Sequence, residues 1–240
     1  YIKKIKVPKV MSFVMPVCII PLVGTFISGM IILLFIGEPI GIVMKNLEVW
    51  LSGMQNSSKI VLGIILGSMI AFDMGGPLNK TAFFFAVAMI PSNPTLMAAV
   101  ATAVCTPPLG LALATFIGKK KFTVAEQESG KAALIMGCIG ITEGAIPFAA
   151  SDPIKVLPSI IIGGAAASVT SLLLGATNLA AWGGLIVLPV VGNRIGYIIA
   201  VIVGTVVTAL VVIALKKTQI EEVTEKVDVK NNDLELDITF

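Results

Sequence analysis

Long apolar runs dominate the chain, and short groups of charged, glycine and proline residues interrupt them. Residues 10–36 are uncharged and mostly apolar, enough to cross roughly 30 Å of hydrocarbon at about 1.5 Å per residue. Pro16 and Pro21 are expected to kink this span, and Glu38-Pro39 to end it. Within residues 40–54, Val43, Leu47, Trp50, Leu51 and Met54 recur at helical spacing and oppose Lys45, Glu48 and Gln55. That pattern predicts an amphipathic interfacial helix anchored by Trp50. Residues 60–72 are short for a span, so the helix is expected to break at Gly75-Gly76-Pro77. Residues 81–90 resume the apolar run, 91–94 form a turn, and 95–117 make a full span that Thr106-Pro107-Pro108 should bend or divide. A soluble loop is expected over 119–131. Residues 132–142 are too short to cross alone, 159–177 form a span rich in small residues, and 179–191 are broken and could re-enter. Residues 197–215 form the last span, and the polar, acidic tail at 218–240 should be disordered or weakly helical. The predicted fold class is an all-α membrane protein, a multi-span helical bundle with broken or re-entrant hairpins and an interfacial amphipathic helix.

Composition agrees with that pattern. Hydrophobic residues make up 56% of the chain, charged residues only 13%, and mean hydropathy is +0.99, whereas soluble domains carry about a quarter charged residues. The net charge of +3 conceals a basic body and an acidic tail. Lysines concentrate at Lys3 to Lys9, Lys119 to Lys121 and Lys216-Lys217, all of which should face the cytoplasm. Cys18, Cys105 and Cys138 lie in separate apolar stretches and read as buried small hydrophobes rather than a disulfide framework. The absence of histidine excludes imidazole-based metal sites, general bases and phosphohistidine from this chain. No cofactor, metal or nucleic-acid partner is expected. The chain opens on Tyr1 rather than methionine, which reads as a portion of a longer protein.

Acids inside the apolar body are the candidate chemistry, because a charge at the centre of a bilayer costs about 2.5–3.5 kcal/mol on insertion scales. Glu143 and Asp152 sit in Gly140-Ile-Thr-Glu-Gly-Ala-Ile-Pro-Phe-Ala-Ala-Ser-Asp-Pro153, where Gly144 and Pro147 imply broken helix lining protein or a wet cavity. A carboxylate there can accept hydroxyl hydrogen bonds from a sugar and orient or deprotonate one of those hydroxyls. Thr142 could hold the carboxylate, bond solute or bond its own backbone. Asp73, Asn79 and Lys80 form a second group across Gly75, Gly76 and Pro77, offering acceptor, mixed and donor functions to a polyhydroxy ligand. Lys80 could instead neutralise Asp73 or Glu143. Asp152 before Pro153 is either a ligand or a helix cap. Lys155 and Arg194 read as helix ends near headgroups, and the Gly63/Gly67 and Gly163-Gly164 pairs as packing positions. Paired interrupted segments point to a transport site near the bilayer midplane. An ion-coupled secondary transporter using Glu143 and Asp73, or a scaffold in which these acids merely pair with lysines, fits the same residues.

The two segments Met69-Ile-Ala-Phe-Asp-Met-Gly-Gly-Pro-Leu-Asn-Lys-Thr-Ala82 and Gly140 to Pro153 resemble the signature segments of fructose-type enzyme IIC. This is the membrane permease subunit of the phosphoenolpyruvate-dependent sugar phosphotransferase system. The resemblance runs through most of the chain up to Lys217 and leaves out the acidic tail. It implies a homodimeric permease of the bacterial cytoplasmic (inner) membrane, with roughly ten membrane-embedded helices per subunit. Such a permease binds fructose or a related hexose and presents it to a phosphocysteine on a IIB partner, itself supplied by IIA. Residues 1–217 would then be the C-terminal, substrate-binding part of the transmembrane domain, and 218–240 a cytoplasmic tail. In the wider superfamily a glutamate in a Gly-Ile-Thr-Glu segment binds sugar hydroxyls, and Glu143 matches it. A histidine used by the glucose-type branch has no counterpart here.

Overall fold

The computed structural model describes residues 20–31, 34, 37–53 and 58–218. The chain divides into two compact units between residues 49 and 50. The first contains α1 (Ile20–Ile31) and the start of α2 (Gly37–Gly53). Glu38-Pro39 occupies the first turn of α2, where a missing N–H costs no intrahelical bond and an acid meets the positive end of the helix dipole. The helix covers the predicted amphipathic stretch, with Val43 and Trp50 exposed. Pro16, most of the predicted first span and nearly all of the tail lie outside the described residues.

The second unit is a bundle of α3 (Lys59–Phe72), α4 (Pro77–Ala88), α5 (Pro94–Ile117), α6 (Val124–Ile139), α7 (Ile146–Ser151), α8 (Pro153–Leu174) and α9 (Arg194–Leu215). Among the described residues, α5, α8 and α9 are long and apolar enough to cross a membrane. This is an integral membrane protein. The helix α5 is the centre, packed by α3, α6, α8 and α9 and buried over almost its whole length. Pro107-Pro108 does not divide it. Packing by neighbouring helices offsets the bonds lost at the two prolines.

Small residues set the helix spacing. A methyl on Gly67 would stand 2.7 Å from the Ala165 Cα, and one on Gly163 would stand 2.9 Å from the Gly204 carbonyl. These glycines therefore let α8 press against α3 on one side and α9 on the other, the close approach expected of small-residue faces. Helix starts follow local chemistry. Thr123 and Glu126 form a reciprocal capping box that starts α6 at Val124, inside the stretch expected to be loop, because paired side-chain acceptors satisfy the first N–H groups. The loop shortens to residues 118–123, with a 3-10 turn at Lys119–Lys121. Asp152 caps α8, with Pro153 at its start, so this helix begins before the predicted span. Residues 179–191 contain a 3-10 turn at Leu185–Val190 but no α-helix.

Candidate functional site

The break between α3 and α4 is built by the side chains expected to bind solute. Asp73 accepts the Leu78 N–H at 2.7 Å through Oδ2 and the Asn79 N–H at 2.9 Å through Oδ1, capping the first turn of α4. The buried Asn79 amide donates to the Ile70 carbonyl at 2.6 Å, meeting one of the acceptors left open at the end of α3. Met74 and Gly75 carry positive φ, +46° and +114°, which turns the chain between the two helices. Lys80 follows directly, and its Nζ lies 3.8 Å from Glu143 Oε1.

Glu143 arrives from the other motif. Helix α6 ends at Gly140, whose left-handed φ of +91° lets Gly140 N–H bond Gly137 and Ile141 N–H bond Met136, a Schellman closure. A methyl on Gly140 would meet the Gly183 backbone at 2.5 Å, so a second segment crosses here. Thr142–Ala145 then forms a 3-10 turn, and Pro147 opens α7 in its first turn. Gly144 sits where a methyl would approach Met136 and Pro108 at 3.1 Å. The backbone at Gly75 lies directly against Glu143, where a methyl would stand 2.9 Å from the carboxyl carbon. The two interrupted segments therefore meet in space.

A cavity of about 450 Å³ opens at this meeting point, lined by Lys80, Thr142 and Glu143 together with Asn79, Phe83, Phe84, Val104 and Trp182. Its size falls within the roughly 300–1,000 Å³ of small-molecule sites. The side chains of Lys80 and Glu143 remain 46% and 42% exposed, and an ion pair this open is worth about 0–1 kcal/mol. Both groups can therefore exchange their mutual contact for ligand hydroxyls at little cost. Thr142, itself buried, lines the same cavity. Phe83, Phe84 and Trp182 escaped the sequence reading. For Trp182 the available signal was an indole beside Gly183-Gly184 in an otherwise aliphatic stretch. A second cavity of about 340 Å³, between α5, α6 and α9, is lined by apolar side chains and Thr205 and offers a polyhydroxy ligand almost no partners.

Asp152 does not line the polar cavity. Besides capping α8 it stands 3.2 Å from Lys155 Nζ and 3.9 Å from Lys216 Nζ. Lys216 in turn donates to Glu126 Oε1 at 2.5 Å and lies over the Phe122 ring. Ser151 also donates to Glu126. Burial acts to raise the Glu126 pKa, but the Lys216 hydrogen bond, the Thr123 backbone N–H and the Ser151 hydroxyl outweigh it and hold the carboxyl below its ordinary value. This cluster ties the starts of α6 and α8 to the end of α9. Lys155 is part of it, and Arg194 bonds the Pro189 carbonyl at the start of α9.

No protein-family profile and no solved structure matches the chain. It is 51% identical over 238 residues to the fructose-like permease IIC component 2 of Escherichia coli (strain K12), covering 99% of this chain and 66% of that protein. The chain belongs to the fructose-type IIC family. Within this family it is 46% identical to the fructose-specific EIIB'BC component of Rhodobacter capsulatus, over 89% of this chain and 38% of that protein. It is 39% identical to the fructose-specific EIIABC component of Bacillus subtilis (strain 168), over 92% of this chain and 34% of that one. The chain thus spans just under two thirds of the first relative and less than two fifths of the other two. These IIC relatives lend no support to the ion-coupled alternative.

Proposed function

We propose that residues 1–217 are the substrate-binding part of a sugar permease subunit that takes fructose or a related hexose across the bacterial cytoplasmic membrane and presents it for phosphorylation. The carrying observation is the convergence of Lys80, Thr142 and Glu143 on one cavity where two broken-helix segments meet. A carboxylate, an ammonium and a hydroxyl supply acceptor and donor groups to the hydroxyls of a hexose. Asp73 and Asn79 act mainly by fixing the break that aims Lys80, and Asp152 by anchoring α8.

The donor in this scheme is a phosphocysteine of a IIB domain, recharged by IIA. The relatives named EIIB'BC and EIIABC support both as partners, fused or separate. The sugar oxygen attacks phosphorus, the S–P bond breaks, the cysteine leaves as thiolate, and Glu143 orients the hydroxyl or takes its proton. Lys80 balances the charge on the transferred phosphoryl group, since positioning and charge compensation are the protein's main work in such transfers. The working unit is a homodimer in lipid. The lysines near the start of this chain, Lys119 to Lys121 and the tail from residue 218 face the cytoplasm.

Titrating the purified membrane protein with fructose, mannose and mannitol, as wild type and as Glu143→Gln, tests this reading. Saturable fructose binding that the substitution weakens by at least about tenfold is expected, the loss of one charge-assisted hydrogen bond. Absence of hexose binding by wild type, or unchanged affinity in the variant, refutes it.

A further inference from the structure

We propose that Trp182 is a sugar-stacking residue, held as a preset wall of the cavity by the segment 178–184; this rests on the hexose-binding reading of that cavity. A hexose presents hydroxyls along its edges and C–H groups on its ring faces. Lys80, Thr142 and Glu143 answer the edges only. An apolar planar partner for the faces completes recognition, and indole offers the largest such surface.

The geometry fixes Trp182 for that task. Its Nε1 donates to the Ile139 carbonyl at 2.9 Å, at the end of the helix that leads to Glu143, so one ring edge is pinned. The residue nonetheless remains 45% exposed and lines the cavity. The segment carrying it is braced by the fully buried Asn178, whose amide donates to the Trp182 carbonyl at 2.8 Å and whose oxygen accepts from Ala180 N–H at 2.9 Å. Gly183 and Gly184 pack against the backbone around Gly140, where a methyl on Gly184 would stand 2.6 Å from Gly140 N. The indole and the carboxylate are therefore referenced to the same turn. An aromatic face held in this way meets a sugar without an ordering cost, which favours affinity through preorganisation.

Two variants separate stacking from a purely structural role, because Trp182→Phe keeps an aromatic ring while losing the N–H bond to Ile139, and Trp182→Ala loses both. For the purified membrane protein, the fructose Kd is expected to rise about tenfold or more in Trp182→Ala and to stay within about threefold in Trp182→Phe. The sequence contains two tryptophans, so Trp50→Phe leaves Trp182 as its single reporter. Its emission should change on saturation with fructose, a readout that does not depend on Trp182→Ala folding. Equal losses in the Phe and Ala variants with no change in emission show that Trp182 acts only through Ile139, and overturn the proposal. Unchanged affinity in Trp182→Ala, with binding lost in Glu143→Gln, overturns it while leaving the cavity as the sugar site. Failure of wild type to bind any hexose overturns both.

Discussion

Gly75→Ala tests whether the two interrupted segments form one working site. Alanine at a φ of +114° costs about 1–2 kcal/mol of backbone strain. The new methyl would stand 2.9 Å from Glu143 Cδ and nearer still to Oε1. Carbon contacts relax at about 3.5–4.0 Å, so the carboxylate must retreat by about 1 Å. It is the tip of a flexible side chain and can do so without unfolding the backbone. Misplacement on that scale at a reacting centre can cost about 100-fold in rate. The variant should therefore unfold only slightly more easily in detergent, yet lose about two orders of magnitude in phosphoenolpyruvate-dependent fructose phosphorylation. Adding Glu143→Ala supplies the control, because with no carboxylate to displace, Gly75→Ala should depress activity no further. Activity within threefold of wild type in Gly75→Ala, or an additive loss in the double variant, refutes the idea that Gly75 acts by leaving room for Glu143.

The other predictions concern the frame around the site. Lys216→Met leaves Glu126 buried without its cation, both side chains being under a tenth exposed, and should destabilise the folded protein by about 3 kcal/mol or more. Thermal unfolding would measure this, and Glu126→Gln in the same chain should restore part of the loss. Because the Glu126 carboxyl titrates below its ordinary value of 4.5, its contribution to stability is complete above that pH and disappears as pH falls through the lower folded value. Wild type should thus lose stability on acidification below about pH 4.5 more steeply than Glu126→Gln. Gly67→Ala places a methyl 2.6 Å from the Gly164 carbonyl carbon and should cost about 1–3 kcal/mol through overpacking between α3 and α8, read by the same melts. Asp73→Ala removes both acceptors at the start of α4 and should cost about 0.5–2 kcal/mol. Fructose affinity that falls in Asp73→Ala with no loss of stability would instead make Asp73 a direct ligand.

Hydropathy marked the later spans, and glycine-proline chemistry marked both helix breaks, because a helix is opened by the residues at the opening. The Thr123 to Glu126 capping box was equally local, but the charged residues around it made the start of α6 look like loop. Pro107-Pro108 does not divide α5, because helices remote in sequence pack around it and carry it through both prolines.

The candidate site divides along the same line. Glu143 and Lys80 stood out in the sequence by themselves, because charge inside an apolar segment demands a partner or a ligand wherever the chain goes. Their pairing with each other, the use of Asp73, Asn79 and Asp152 as helix caps, and the presence of Trp182 at the cavity were decided only by the tertiary structure. Each depends on residues distant in the chain or on which of several available hydrogen bonds a polar side chain makes, and neither is encoded by spacing along one segment.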